Sequence, residues 1–148
     1  MGRTIIGTAI VFNELSQDLG GFREIIKPES CNNLLGTCDI LDLLNHNEDK
    51  GVLARYTHGK GSLQLSINKQ GLHYSFEAPQ TSLGEELLIG VQRGDIRSSS
   101  FSFIVGEGQI WEELPDGSFL RTITKFDDLR DISQVYRPAY IAATVTSQ

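Results

Sequence analysis

The sequence predicts a mainly β fold, an antiparallel barrel or sandwich that carries one or two packed helices. Roughly eight or nine short segments are rich in β-branched and aromatic residues, and glycine, proline or asparagine clusters separate them. Only one segment combines helical spacing of apolar side chains with a start and a stop signal. Because a barrel covers its own sheet edges, a barrel suits a β-rich chain of this size.

The first half of the chain is predicted to be almost entirely strand. Residues 4–12 are rich in β-branched side chains, and residues 21–28 predict a second strand that forms a hairpin-like pair with the first. Residues 38–51 fit a short helix and a bent strand equally well. Residues 52–79 hold three segments of about eight residues, the spacing of an antiparallel meander.

The helix is predicted to begin at Ser82, which forms a capping-box spacing with Glu85, and to end before Gly94. Its apolar side chains follow one stripe, namely Leu83, Leu87, Leu88 and Val91. We favour packing of this stripe against the core, with pairing between copies of the chain in a homo-oligomer as the alternative. After the helix, the pattern predicts a strand, a hairpin that turns at 115–117, and a last strand that ends at Pro138.

Composition narrows the class of protein. A chain of 148 residues predicts a single domain over residues 1–148, and a net charge of -6 argues against nucleic acid as a partner. We expect no membrane span and no secretory signal, hence a soluble intracellular protein. Cys31 and Cys38 lack further ligands at metal-site spacing, so we expect free thiols, no metal and no cofactor.

The stretch DIRSSSFSF, residues 95–103, sets hydroxyl groups against aromatic rings. Side chains alternate along a strand, so Phe101 and Phe103 face one way and Ser100 faces the other. Burial of the two rings assigns their face to the core. The serine face then lies either in solvent or in a cleft.

A serine becomes a nucleophile only when a histidine takes its proton and a third group orients that histidine. The chain has three histidines, His46, His58 and His73, and their spacing in the sequence does not choose among them. Proton transfer requires the chosen histidine to lie within about 3 Å of the serine hydroxyl. A solvated strand face remains the alternative for the serines.

Four segments in this order resemble the prohead (capsid maturation) protease family of tailed bacteriophages: GTAIVFNELSQDLGGFREIIKP, LLNHNED, RGDIRSSSFSF and LRDISQVYRPAY. The resemblance covers nearly the whole chain. It implies an antiparallel β-barrel of the herpesvirus-protease type and a serine endopeptidase. The implied substrates are the scaffold and the precursor of the major capsid protein, cut inside an assembling prohead in the bacterial cytoplasm, and the resemblance also implies self-cleavage.

The resemblance assigns the catalytic roles residue by residue. The family's histidine falls on His46, its nucleophile on Ser100, and its candidate orienting acid on Asp131; we rank Asp95 below Asp131 as the acid. Backbone N–H groups, with an arginine such as Arg97 or Arg130, are expected to hold the oxyanion.

The chain departs from the family pattern at two positions. Asn47 stands where aspartate is frequent, and Ser102 stands where glycine is usual. These departures keep an alternative open, namely a catalytically inactive capsid-assembly module that binds scaffold through the same barrel.

Overall fold

The structure is a computed structural model and describes residues 2–148. Twelve strands and one α-helix make up the regular structure of these residues. The strands are β1 Thr4–Val11, β2 Phe22–Ile26, β3 Asp39–Leu44, β4 Ala54–Thr57, β5 Lys60–Gly61, β6 Gln64–Ile67, β7 Gly71–Glu77, β8 Ser98–Ile104, β9 Gln109–Glu113, β10 Phe119–Ile123, β11 Asp128–Val135 and β12 Val145–Ser147. The helix, α1, is Ser82–Arg93, and 3-10 turns cover Pro28–Cys31 and Glu48–Lys50.

The strands form three hydrogen-bonded sheets. The first has the order β12-β1-β7-β6, the second β2-β10-β9, and the third β5-β4-β3-β11-β8. The predicted mainly β class is confirmed, and the closed barrel stays a prediction. Within residues 2–148, no helix is both long enough and apolar enough to cross a membrane.

Two predicted strand pairings are wrong. β2 does not form a hairpin with β1; it lies parallel to β10, and β1 pairs with β7 and β12. The meander over residues 52–79 divides between two sheets, because β4 and β5 join the third sheet and β6 and β7 join the first. Turn residues determine where a strand ends, but the partner of each strand is chosen by packing of the whole chain.

The helix confirms the predicted span from Ser82 to the residue before Gly94, but its predicted capping box is wrong. Thr81 is the N-cap, since its hydroxyl accepts the Gly84 N–H at 3.1 Å. Glu85 forms an ion pair with Arg3 at 2.6 Å instead of closing a capping box with Ser82. Leu87 and Leu88 are buried, and Leu83 and Val91 pack partly against the core, so the stripe faces inward as favoured.

Strand β8 confirms the predicted separation of faces. Phe101 is buried and contacts Phe126 with ring centroids 5.9 Å apart, and Ser99 on the same face is fully buried. Ser100 and Ser102 lie on the opposite face and are half-buried. The aromatic side chains therefore anchor the strand and leave its even-numbered serines on the other side of the sheet.

The centre of the third sheet positions the candidate site. β11 lies between β3, to which it is parallel, and β8, to which it is antiparallel. Because β3 and β11 run in the same direction, the turn that follows β3 lies beside β11. This topology brings three segments distant in the sequence to one face of the sheet.

Candidate active site

His46 lies in a tight turn at the end of β3. Asn45 and His46 both have left-handed backbones, with φ of 53° and 60°, a conformation that costs free energy in residues other than glycine. Two contacts with β11 hold the turn: the Asn45 N–H donates to the Gln134 carbonyl at 2.9 Å, and the His46 N–H donates to the Ser133 hydroxyl at 3.0 Å. The imidazole therefore projects from a backbone that is fixed to the neighbouring strand.

The imidazole of His46 contacts the carboxylate of Asp131. His46 Nδ1 lies 2.7 Å from Asp131 Oδ1, and the side chain of Asp131 is only 13% exposed. A proton on Nδ1 is donated to the carboxylate, and Nε2 then keeps its lone pair. Within residues 2–148, Nε2 has no hydrogen-bond partner, so it is free to take a proton from a nucleophile or a substrate.

Asp131 is held as a carboxylate by three side chains. The Ser133 hydroxyl donates to Oδ1 at 3.0 Å, and the Ser102 hydroxyl donates to Oδ2. Burial by itself raises the pKa of Asp131, but the hydrogen bonds from His46, Ser102 and Ser133 and the charge of His46 outweigh burial and lower it below the ordinary value of 3.8. Asp131 is therefore ionised at neutral pH and acts as an acceptor.

The register of β8 against β11 places the two candidate serines. Ser102 is the partner of Asp131, and Ser100 is the partner of Ser133. Partner residues in an antiparallel pair have Cα atoms about 4.5 to 5.5 Å apart, which places Ser100 beside the residue that binds the His46 backbone. Among residues 2–148, the Ser100 hydroxyl has no hydrogen-bond partner, and no hydrogen bond joins it to His46.

An open cavity of about 940 Å³ lies over this face of the sheet. Its lining includes His46, Asp131 and Ser102, and also Arg130, whose Nε is 3.8 Å from a carboxylate oxygen of Asp128. Ser100 is not part of the lining; it lies two residues away from Ser102 along β8. A cavity of this size can bind several residues of a peptide.

The structure thus brings together His46 and Asp131, places Ser100 opposite Ser133 on the same face of the sheet, and leaves Asp95 outside β8 in an ion pair with Arg93 at 3.2 Å. Both candidate arginines are exposed, but only Arg130 lines the cavity, whereas Arg97 does not. The sequence analysis missed Ser133. The period of two along a strand would have placed it on the same face as Asp131.

The comparison with protein families identifies the family of the chain. Residues 1–148, the whole chain, match the family model of the caudovirus prohead serine protease. The chain belongs to this family. No curated protein and no solved structure matches the chain significantly. Membership implies a serine protease with a role in phage capsid maturation, which agrees with the resemblance stated above.

The two departures from the family pattern have specific contacts in the structure. The Asn47 side chain accepts the Asp49 N–H at 3.1 Å and caps the 3-10 turn Glu48–Lys50, a contact that an aspartate would also make. Ser102 binds Asp131. Neither residue separates His46 from its acid.

Proposed function

We propose that this chain is a serine endopeptidase that cleaves the scaffold and the precursor of the major capsid protein during prohead maturation. Ser100 is the proposed nucleophile, His46 the general base and Asp131 the residue that orients His46. The contact of 2.7 Å between His46 Nδ1 and Asp131 Oδ1 carries the proposal, because it leaves His46 Nε2 as the free basic nitrogen.

The proposed reaction proceeds through an acyl-enzyme. Ser100 Oγ attacks the carbonyl carbon of the scissile peptide while His46 Nε2 takes its proton, and the carbonyl electron pair moves onto the oxygen. The imidazolium then gives the proton to the amine nitrogen, and the C–N bond breaks. Water then attacks the acyl carbonyl carbon while His46 Nε2 takes its proton. The imidazolium gives that proton to Ser100 Oγ as the ester bond breaks and the acid product leaves. Asp131 stabilises the imidazolium throughout, because its carboxylate is ionised and nearly buried.

Ser100 is preferred over Ser102 because of where each hydroxyl proton points. Ser102 donates its proton to Asp131, so that proton is not available to His46. The Ser100 hydroxyl has no competing acceptor within residues 2–148. Nucleophilic catalysis requires a free hydroxyl and an oriented histidine, and Ser100 and His46 supply these two groups in the proposal.

The cavity and the sheet edge support a peptide substrate. β8 is the outer strand of the third sheet. The Ser99 N–H at its start already donates to the Ala143 carbonyl at 2.9 Å, so an extended chain would pair with the part of this edge beyond Ser99, and the adjacent cavity can accept side chains. Arg130 lines this cavity and is our candidate for a charged group near the oxyanion, beside backbone N–H donors. We place the reaction inside the assembling prohead in the host cytoplasm, in a barrel of the herpesvirus-protease type.

Labelling with a serine-directed fluorophosphonate tests the nucleophile. We expect the native chain to gain one label at Ser100, and Ser100→Ala to abolish labelling, while the neighbouring variant Ser98→Ala keeps it. His46→Ala should slow labelling by at least about 10²-fold, because general-base assistance is worth that much. Mass spectrometry of the digested protein identifies the labelled residue.

The other outcomes distinguish the alternatives. A label on Ser102 that persists in Ser100→Ala would move the nucleophile to Ser102. No label in the native chain, both alone and with scaffold protein present, would contradict the protease and favour the inactive assembly module.

A further inference from the structure

Two serine hydroxyls occupy both oxygens of the Asp131 carboxylate. Ser133 donates to Oδ1, the oxygen that also contacts His46 Nδ1, and Ser102 donates to Oδ2. Rotation of the carboxylate about its Cβ–Cγ bond would break both hydroxyl contacts. The plane of the carboxylate is therefore fixed from two strands, β11 and β8.

Ser133 also binds the backbone of the histidine. Its hydroxyl accepts the His46 N–H at 3.0 Å and donates to Asp131 at 3.0 Å, and the residue is fully buried. The contacts form a closed ring from the His46 backbone through Ser133 and Asp131 to the His46 imidazole. The left-handed backbone of His46 is stable only while such contacts hold it.

We infer that Ser133 and Ser102 are positioning residues for the reaction: they hold Asp131 and the His46 turn so that Nδ1–H points to Asp131 and Nε2 stays available as the base. The chemical consequence rests on the proposed function, whereas the arrangement of His46 does not depend on Ser100. Ser133 has the larger role, because it holds both the carboxylate and the turn. Ser102, at a position where the resemblance expects glycine, adds one contact to Oδ2.

The decisive measurement is the tautomer of His46, because a serine that only fills space would not change it. The ¹⁵N shifts of the imidazole report the ratio of the Nδ1–H form to the Nε2–H form, and Ser100→Ala serves as the parent, so no activity is needed. We expect the Nδ1–H form to dominate in the parent. Ser133→Ala should lower the ratio by at least about 5-fold, because the variant removes a hydrogen bond to the charged carboxylate that accepts Nδ1–H.

Ser99→Ala is the matched control. Ser99 is also fully buried, and its hydroxyl contacts Tyr74 at 2.6 Å and the Thr144 carbonyl at 2.8 Å on the other face of β8. It should lose a buried hydroxyl without any change in the His46 tautomer ratio. Ser102→Gly should lower the ratio less than Ser133→Ala, and Ser102→Thr, which keeps a hydroxyl, should restore it.

Kinetics in the chain that retains Ser100 give a second readout. Ser133→Ala should lower kcat/KM for a peptide substrate by about 10- to 100-fold, with most of the loss in kcat, and Ser99→Ala should change it less than 3-fold. If Ser133→Ala fails to fold, Ser133→Cys keeps the buried volume and replaces the hydroxyl by a weak donor and acceptor.

Failure of this inference differs from failure of the proposed function. Equal His46 tautomer ratios in Ser133→Ala, or in Ser133→Cys, and Ser99→Ala would overturn the positioning role, even in an active protease. A native chain that takes no label at Ser100 would overturn the protease, while the tautomer measurement would still decide whether the serines orient His46.

Discussion

Each face of the third sheet carries an aspartate from one of the sheet's central strands. The pKa values of the two carboxyl groups are shifted in opposite directions. Asp131 of β11 faces the cavity and has a pKa below 3.8, whereas Asp42 of β3 faces the core, is fully buried and has a pKa well above 3.8. Asp42 is the register partner of Ile132, the residue next to Asp131. Adjacent positions on neighbouring strands thus shift the pKa of one acid down and the pKa of the other up.

The difference follows from the donors available on each face. Asp131 accepts from the imidazole and from two hydroxyls. Burial raises the pKa of Asp42, a single hydrogen bond from Gln134 at 2.9 Å opposes it weakly, and the charge of Asp131 raises it further. Asp42 Oδ1 and Gln134 Oε1 are buried without a partner in residues 2–148. Burial with few donors raises the pKa of a carboxyl, and donors on the cavity side lower it.

The largest expected effect is on the cavity side. Asp131→Asn should lower kcat/KM by about 10³- to 10⁴-fold, because an amide can donate to Nδ1 and favour the wrong tautomer of His46. The control is Asp128→Asn, a change of the same charge in the lining of the same cavity. Peptide cleavage by purified variants measures the effect. Equal losses of kcat/KM for both variants would show that Asp131 contributes only through its charge and does not orient His46.

On the core side, the Gln134 side chain connects two groups. It is fully buried, and its Nε2 donates to Asp42 and to the Tyr74 hydroxyl, the latter at 3.1 Å. Gln134→Leu should lower the free energy of unfolding by about 1 to 3 kcal/mol, since the buried Asp42 carboxyl loses the Gln134 donor, whereas the Tyr74 hydroxyl keeps its contact with Ser99 at 2.6 Å. Urea denaturation measures it, with the exposed strand residue change Gln64→Leu as the control. A loss no larger than that of Gln64→Leu would mean that Asp42 finds another partner.

The sequence predicted much of the polar arrangement on the cavity face and none on the core face. The period of two in β8 separated Ser100 from Phe101 correctly, because apolar and polar side chains alternate there. Asp42 lies among apolar residues in DILDLL, and Gln134 follows a serine in DISQV; a strand pattern gives no sign that these two residues meet across a sheet. Their contact depends on the parallel pairing of β3 and β11, which local pattern does not determine.

The contact between His46 and Asp131 also depends on the parallel pairing of β3 and β11. Only the family resemblance identified these two residues. Their distance in the sequence is bridged by the same parallel pairing. The strand pairings that the sequence analysis predicted wrongly, β1 with β2 and the continuous meander, fail for the same physical reason. Elements follow from neighbouring residues, whereas the partners of each strand follow from long-range packing.

The smallest expected effect uses pH to separate the two acids. Asp42→Asn should raise the free energy of unfolding by about 1 to 2 kcal/mol at pH 8, because an asparagine can donate to Gln134 Oε1 without carrying a charge. The pKa of Asp42 is raised on folding, so its contribution to stability is complete below 3.8 and is lost as the pH rises through the folded pKa. The advantage of the variant should therefore be small at pH 4 and grow toward pH 8.

Asp131 provides the internal reference for this measurement. Its pKa is lowered on folding, so its contribution is present above 3.8 and is lost only as the pH falls below that value. The native chain and Asp42→Asn both contain Asp131, so its contribution cancels in the difference between their free energies of unfolding. An Asp42→Asn advantage that stays constant between pH 4 and pH 8 would show that folding does not change the protonation of Asp42 in this range, and the contrast between the two faces would then rest on packing and not on charge.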